Sequence, residues 1–182
     1  WKSTNRGVSA ILDEDHPITV VLHDDTASKQ ESIVERELAN ELADATTQTT
    51  DVGVVTPHNA QRGSLKSTLT DKVKADTVER FQGGEKDLIM ISSTVGDRDQ
   101  VRKETEFLLN ANRLNVAVSR MKKKLVVLVS RSVFEVFPED AETYDETRIW
   151  RGLLDEVNAT EDIPRWQGQL SDIVSSPTRD VS

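Results

Sequence analysis

The sequence predicts an α/β protein, a parallel sheet with helices on both faces, and three observations carry that prediction. Short β-branched and apolar runs alternate with helix-length amphipathic segments along most of the chain, the order that parallel pairing requires. Two of the runs, Leu88–Ile91 and Leu125–Val129, are apolar at successive positions, as strands covered on both faces are. Turn and capping residues, Asp24 to Ser28 and Pro57 among them, punctuate the strand ends.

The elements follow in order. Residues 1–17 show no clear period and read as a leader from a preceding element. Ile18–His23 is a strand. Ser28 and Glu31 are spaced as a capping box, and a helix runs from there to about Ala45 with Ile33, Leu38 and Leu42 inward. Val52–Thr56 is a second strand, ended by Pro57, and a helix covers about Asn59 to Leu69. Val73–Val78 is a third strand, interrupted by Lys and Asp. Residues 81–86 are a loop, Leu88–Ser93 a fourth strand, and Gly96 to Glu106 a charged, mobile loop. From Asn112 the spacing predicts a helix with Arg113, Ala117, Arg120 and Lys124 on one face and Leu114, Val118, Met121 and Leu125 on an apolar stripe. The Leu125 strand and a short helix, Ser132 to Phe137, complete a domain over 18–138. Residues 139–182 read as an acidic linker, a short helix and a weakly ordered tail.

Composition narrows the function. The 182 residues include no cysteine, which excludes disulfides, cysteine zinc sites and thiol catalysis and suits a cytoplasmic, intracellular setting. No apolar run reaches membrane-spanning length, so no membrane partner is expected. The first residue is Trp1, so an excised piece of a longer chain is expected. The net charge is −9, yet from Phe107 to Phe134 there is no acid and there are six cations, Arg113, Arg120, Lys122, Lys123, Lys124 and Arg131. A basic face on an acidic body suits phosphate; a basic surface helix covering a sheet accounts for the same residues. The chain has no phosphate-binding loop of the Gly-x-x-x-x-Gly-Lys-Ser/Thr kind. His16, His23 and His58 stand isolated, and no metal site is expected.

Three segments carry a resemblance. Val52-Gly-Val-Val-Thr-Pro-His-Asn-Ala-Gln-Arg62 resembles motif IV of superfamily 1 helicases, Asp76-Thr-Val-Glu-Arg-Phe-Gln-Gly-Gly-Glu-Lys-Asp87 motif V, and Arg113-Leu-Asn-Val-Ala-Val-Ser-Arg120 motif VI. In order and spacing they resemble the second, C-terminal RecA-like domain of the Upf1/Dna2-like subgroup, over about Ile18 to Phe137. The resemblance implies a RecA-like three-layer sandwich and an ATP-dependent helicase that moves 5′-to-3′ along single-stranded DNA or RNA. It implies that Arg120 is the arginine finger, and that Gln82, Gly83 and Glu85 contact ATP, with the Glu85 carboxylate suited to a ribose hydroxyl. Arg113 supports Arg120 or binds phosphate. Thr56, Pro57, His58 and Thr77 meet the nucleic-acid backbone; for Thr56 and Thr77 a plain strand-end threonine is the competing reading. ATP and Mg2+ are held mainly by the first RecA-like domain, the implied partner, so this chain alone is inert. Glu79 and Gly84 depart from the family's frequent Asp and basic residue. A RecA-like domain serving as a non-catalytic interaction scaffold is the alternative, and a stand-alone phosphate-binding module a third.

Overall fold

The computed structural model describes residues 3–81, 84–108, 111–135 and 165–166. The elements are α1 (Arg6–Ile11), β1 (Ile18–His23), α2 (Ile33–Asp44), β2 (Val52–Thr56), α3 (Asn59–Thr68), β3 (Val73–Thr77), a 3-10 turn (Val78–Arg80), β4 (Lys86–Ser92), α4 (Arg98–Leu108), α5 (Ala111–Val118), β5 (Met121–Ser130), α6 (Ser132–Glu135) and a two-residue β6 (Arg165–Trp166). The strands form one sheet in the order β3-β2-β4-β5-β1-β6, and every pair is parallel. The fold is therefore the expected RecA-like α/β sheet.

Alternation along each strand sends side chains to two cores. Val8, Ile11, Leu38, Leu42 and Leu65 from α1, α2 and α3 pack with Val54, Met90 and Leu128 on one face. Val101, Ala117 and Val133 from α4, α5 and α6 pack with Val55, Ile89 and Val127 on the other, together with Phe81. Pro17 accepts the amide of Leu125, so β1 enters beside β5 in fixed register.

Phe81 marks an unusual connection. From the carboxyl end of β3 the chain must return past β2 to the amino end of β4, and it does so through residues 78–85, whose described residues hold one 3-10 turn and no α-helix. The Phe81 ring lies so close to β2 that a Cβ at Gly53 would run into it, which explains a glycine inside a central strand. Lys74 Nζ covers the ring at 5.5 Å from its centroid.

The structure corrects several expectations. Residues 6–11 of the presumed leader form α1, capped by Asn5, whose Oδ1 accepts the amides of Gly7 and Val8, and its Val8 and Ile11 belong to the core. The helix after β1 starts one turn late. Ser28 is taken by the next loop: its hydroxyl donates to Asp25 and its carbonyl accepts the amides of Gly96 and Asp97. Ser32 is the cap instead, accepting the Glu35 amide at 3.2 Å. Ile33 is 57% exposed, whereas Glu35 is wholly buried beside Leu38, Ala39, Leu42 and Ala43. The charged segment Gly96 to Glu106 is largely α4, because Asp97 Oδ1 caps it through the Gln100 amide and Val101 reaches the core.

The helix expected from Asn112 through Lys124 ends at Val118, and Met121 already belongs to β5. Ala117 is buried and Val118 is partly exposed, so the docking stripe is not the expected one. Lys124 is a fully buried strand residue whose Nζ donates to the carbonyls of Asp13 (2.8 Å) and His16 (2.5 Å) and to Thr19 Oγ1 (2.8 Å). The expected linker and late helix, 139–157, lie outside the described residues. Of the expected tail, Arg165 and Trp166 form β6 beside Val20 and Val21.

Candidate functional site

Because all strands run the same way, the sheet has two distinct edges, and the sequence-predicted residues divide between them. At the carboxyl edge, Thr56 and Thr77 are register partners at the last positions of β2 and β3. Both are buried. Thr56 Oγ1 lies 2.9 Å from Thr94 Oγ1, and Asp76 Oδ1 accepts the Thr77 amide at 3.0 Å. Pro57 and His58 form the half-buried turn into α3, which no side chain caps. His58 Nε2 sits 3.0 Å from Glu104 Oε2, an ion-pair distance that bridges α3 to α4 without good hydrogen-bond alignment. Arg62 pairs with Asp76, Nε to Oδ1 at 2.9 Å, which ties motif IV to motif V.

This edge is also where the topology reverses. The connection after β2 leads outward to β3, and the connection after β4 leads the other way to β5, so the β2/β4 crevice is the position where open α/β sheets place ligands. The Thr56–Thr94 hydroxyl pair closes the floor of that crevice.

At the amino edge, Arg120 occupies the turn between α5 and β5, its amide bonded to the Ala117 carbonyl and its carbonyl accepting the Lys86 amide at 2.8 Å. That bond brings Arg120 beside Glu85, which is exposed and 4.0 Å from Lys122 Nζ. The Arg120 Nε is buried without a hydrogen-bond partner among the described residues. Gly84 has φ +41°, a region that disfavours the basic residue frequent in the family. Gln82 and Gly83 lie outside the described residues, as does the Arg113 side chain, whose backbone is in α5.

The six-cation window does not form one face. Lys122 and Lys123 lie at the amino edge near Glu85 and Asp87, at 4.0 and 3.8 Å. Lys124 is buried, and burial lowers its pKa to about 8 although the nearby Asp13 carboxylate opposes the shift. Arg131 pairs with Asp24 at 3.0 Å at the other edge. Among the described residues no cluster of three or more His, Asp or Glu side chains is placed to hold a metal ion. Nor is any described helix long and apolar enough to cross a membrane.

Sequence reasoning missed the most polar part of the core. Glu35 accepts hydrogen bonds at Oε1 from His23 Nε2 (3.0 Å) and Ser93 Oγ (2.9 Å), and at Oε2 from Ser92 Oγ (2.5 Å) and the Thr94 amide (2.8 Å). Two signals pointed to it. Glu35 falls at helical spacing with Leu38, Leu42 and Ala43, and three hydroxyl residues follow the apolar run of β4.

Comparison with known proteins points the same way as the resemblance that the motifs carry. The sequence profile of the AAA domain family matches residues 13–132. The chain is 32% identical over 110 residues to the DNA replication ATP-dependent helicase/nuclease JHS1 of Arabidopsis thaliana, covering 59% of this chain and 8% of that protein. It is 38% identical over 89 residues to the DNA polymerase alpha-associated DNA helicase A of Saccharomyces cerevisiae, covering 46% of this chain and 13% of that protein. To the regulator of nonsense transcripts 1 homolog of Arabidopsis thaliana it is 32% identical over 113 residues, covering 57% and 8%. The chain thus spans about a tenth of the length of these relatives. With the profile covering most of the chain and an all-parallel sheet, the chain belongs to the AAA domain family, and its three motifs in order resemble those of the second RecA-like domain of Upf1/Dna2-like superfamily 1 helicases.

Proposed function

We propose that the chain is the C-terminal motor domain of an ATP-dependent nucleic-acid helicase, supplying the arginine finger and part of the ATP and single-strand surfaces. Arg120 carries the reading. Its Nε is buried without a hydrogen-bond partner among the described residues, while its backbone is fixed to Lys86. A planar cation placed at the charge developing on a transferring phosphoryl group is worth about 10³–10⁵ in rate. Glu85 stands beside it for the ribose, with Gln82 and Gly83 completing the loop. Mg2+ and the remaining phosphate contacts belong, in this proposal, to the first RecA-like domain, which closes on the amino edge.

The strand lies on the carboxyl edge. Buried Thr56 and Thr77 act from beneath, fixing the backbone of residues 56–58, and His58 ties that turn to Glu104 of α4, while the amides of the uncapped first turn of α3 face phosphate oxygens. Such contacts hold a backbone without reading sequence. The edges are about 20 Å apart along the strands, and residues 78–85 join Thr77 at one to Lys86 at the other, so a shift at Arg120, whose carbonyl holds the Lys86 amide, has one connecting segment to Thr77.

Arg120→Ala in the full-length protein tests this. ATP hydrolysis should fall at least about a hundredfold with nucleotide binding nearly intact, because the guanidinium acts on the transition state. Arg120→Lys should not rescue, lacking the planar fork. The thermal melt should be unchanged. Hydrolysis at the wild-type rate would instead favour a scaffold role.

A further inference from the structure

Nothing in the proposed hydrolysis uses Glu35, yet a fully buried carboxylate with four donors is a costly thing to keep. Two hydrogen-bonded arms run from its Oε2 to the turn that faces the strand. In the first, Ser92 Oγ donates to Glu35 at 2.5 Å and accepts from Gln61 Nε2 at 3.0 Å; the same Gln61 amide brackets the Ser32 backbone. Gln61 is in the first turn of α3 and wholly buried. In the second, the Thr94 amide donates to Glu35 at 2.8 Å and the Thr94 hydroxyl meets Thr56 Oγ1 at 2.9 Å. The arms end on either side of residues 57–60.

Thr94 gives the second arm its meaning. Its φ is +75°, the one positive value for a non-glycine among the described residues. A β-branched residue there is strained and persists only where its surroundings over-determine it. The Glu35 bond to its amide is the charged member of those surroundings. We infer that Glu35 is a positioning residue for the single-strand grip: its buried carboxylate holds Thr94 in the left-handed conformation and Gln61 beneath α3, and so sets the β2–α3 turn.

The inference rests on the proposed strand-binding role of that turn. It makes a specific demand on charge and shape. All four groups on Glu35 donate, so a carboxamide must turn its NH2 toward one pair. At the Oε2 position the NH2 meets the Thr94 N–H, which cannot reverse. At the Oε1 position it meets His23 Nε2–H, whose tautomer is set because Nδ1 accepts the Asp25 amide at 3.3 Å.

The test uses the full-length protein and reads ATP hydrolysis against the concentration of a single-stranded oligonucleotide. Glu35→Gln should raise the half-stimulating concentration about tenfold, the size of one lost charge-assisted bond, with the strand-saturated rate within about twofold of wild type. Adding Thr94→Asn should recover most of that loss, since asparagine tolerates positive φ and keeps a polar end toward Thr56. If Glu35→Gln does not fold, Thr56→Val, which removes the hydroxyl at the end of the second arm, should raise the half-stimulating concentration in the same way. A half-stimulating concentration within about twofold of wild type in the variant measured overturns the role of Glu35. Absence of any strand stimulation in the wild type overturns the strand-binding reading itself, and this inference with it.

Discussion

At the residue scale, Lys124 has the most clearly signed behaviour. It was expected on a basic helix face and is instead a buried strand residue clamping residues 13–19 to β5. Burial lowers its pKa from 10.5 to about 8, against the opposing Asp13 carboxylate. Below pH 8 both folded and unfolded chains carry the proton, and the folded state bears the full cost of a buried charge. Between about 8 and 10.5 the unfolded chain keeps the proton that the folded chain has lost, so this group makes stability rise with pH. Above that window the contribution is flat. The rise amounts to about 3 kcal/mol at most. Lys124→Met removes it while keeping most of the stem. Denaturant unfolding of both proteins from neutral to strongly alkaline pH should show wild type gaining on the variant across that window; a constant difference would show that the three acceptors hold the ammonium fully charged. Asp25 moves the other way. Burial raises its pKa, but bonds from Ser28, the Ala27 amide and Ser32, with the neighbouring His23, outweigh that and leave it lowered. Its contribution is present above the ordinary carboxylate value and lost as pH falls below it.

At the scale of elements, α2 separates what was legible from what was not. Ile33→Ser should change stability by less than about 0.5 kcal/mol, as a surface substitution does. Leu38→Ala should cost about 2–5 kcal/mol. Urea unfolding of the two variants decides the matter, and equal losses would mean that Ile33 packs inward after all. Hydrophobicity alone ranks the two residues together. The face is set by Glu35, Leu38, Ala39, Leu42 and Ala43, and an acid on it looks like noise until its donors on β1 and β4 are seen. The first three strands were legible almost to the residue, since Val52–Thr56 and Ile18–His23 carry their own β-branched and apolar signal. Elements with tertiary causes were not. The charges of α4 hide a helix whose start depends on Asp97 and whose anchor is Val101 alone among its first four residues. In the same way the Arg120 turn was read as helix because Met121 and Leu125 keep helical spacing, while β5 claims them by pairing with β4. The motif residues themselves were legible; that Arg120 and Thr56 sit at opposite edges was not, because direction within a sheet is not written in any one motif.

At the scale of the whole molecule, that separation changes what the charges do. Six cations acting together on a single strand would give a salt slope of about −4, at −0.7 for each phosphate neutralised. The structure divides them: Arg120, Lys122 and Lys123 at the amino edge, Arg131 against Asp24 at the other, Lys124 inside. The carboxyl edge is proposed to hold a strand through backbone amides rather than a row of free cations, and the body carries a net charge of −9 that repels a polyanion at long range. The chain on its own should therefore bind single strands weakly, with a slope no steeper than about −2. It should also hydrolyse no ATP above background, since the half-site proposed for it holds a finger and a ribose contact, and the sequence carries no phosphate-binding loop for the β-phosphate. Titration of a labelled oligonucleotide over a range of salt, beside an ATPase assay on the same preparation, measures both. A slope near −4 would mean that the cations gather on one face when a strand arrives. Turnover that copurifies with the chain and disappears in Arg120→Ala would mean that this domain completes a nucleotide site by itself, and the division of the site between two domains would have to be given up.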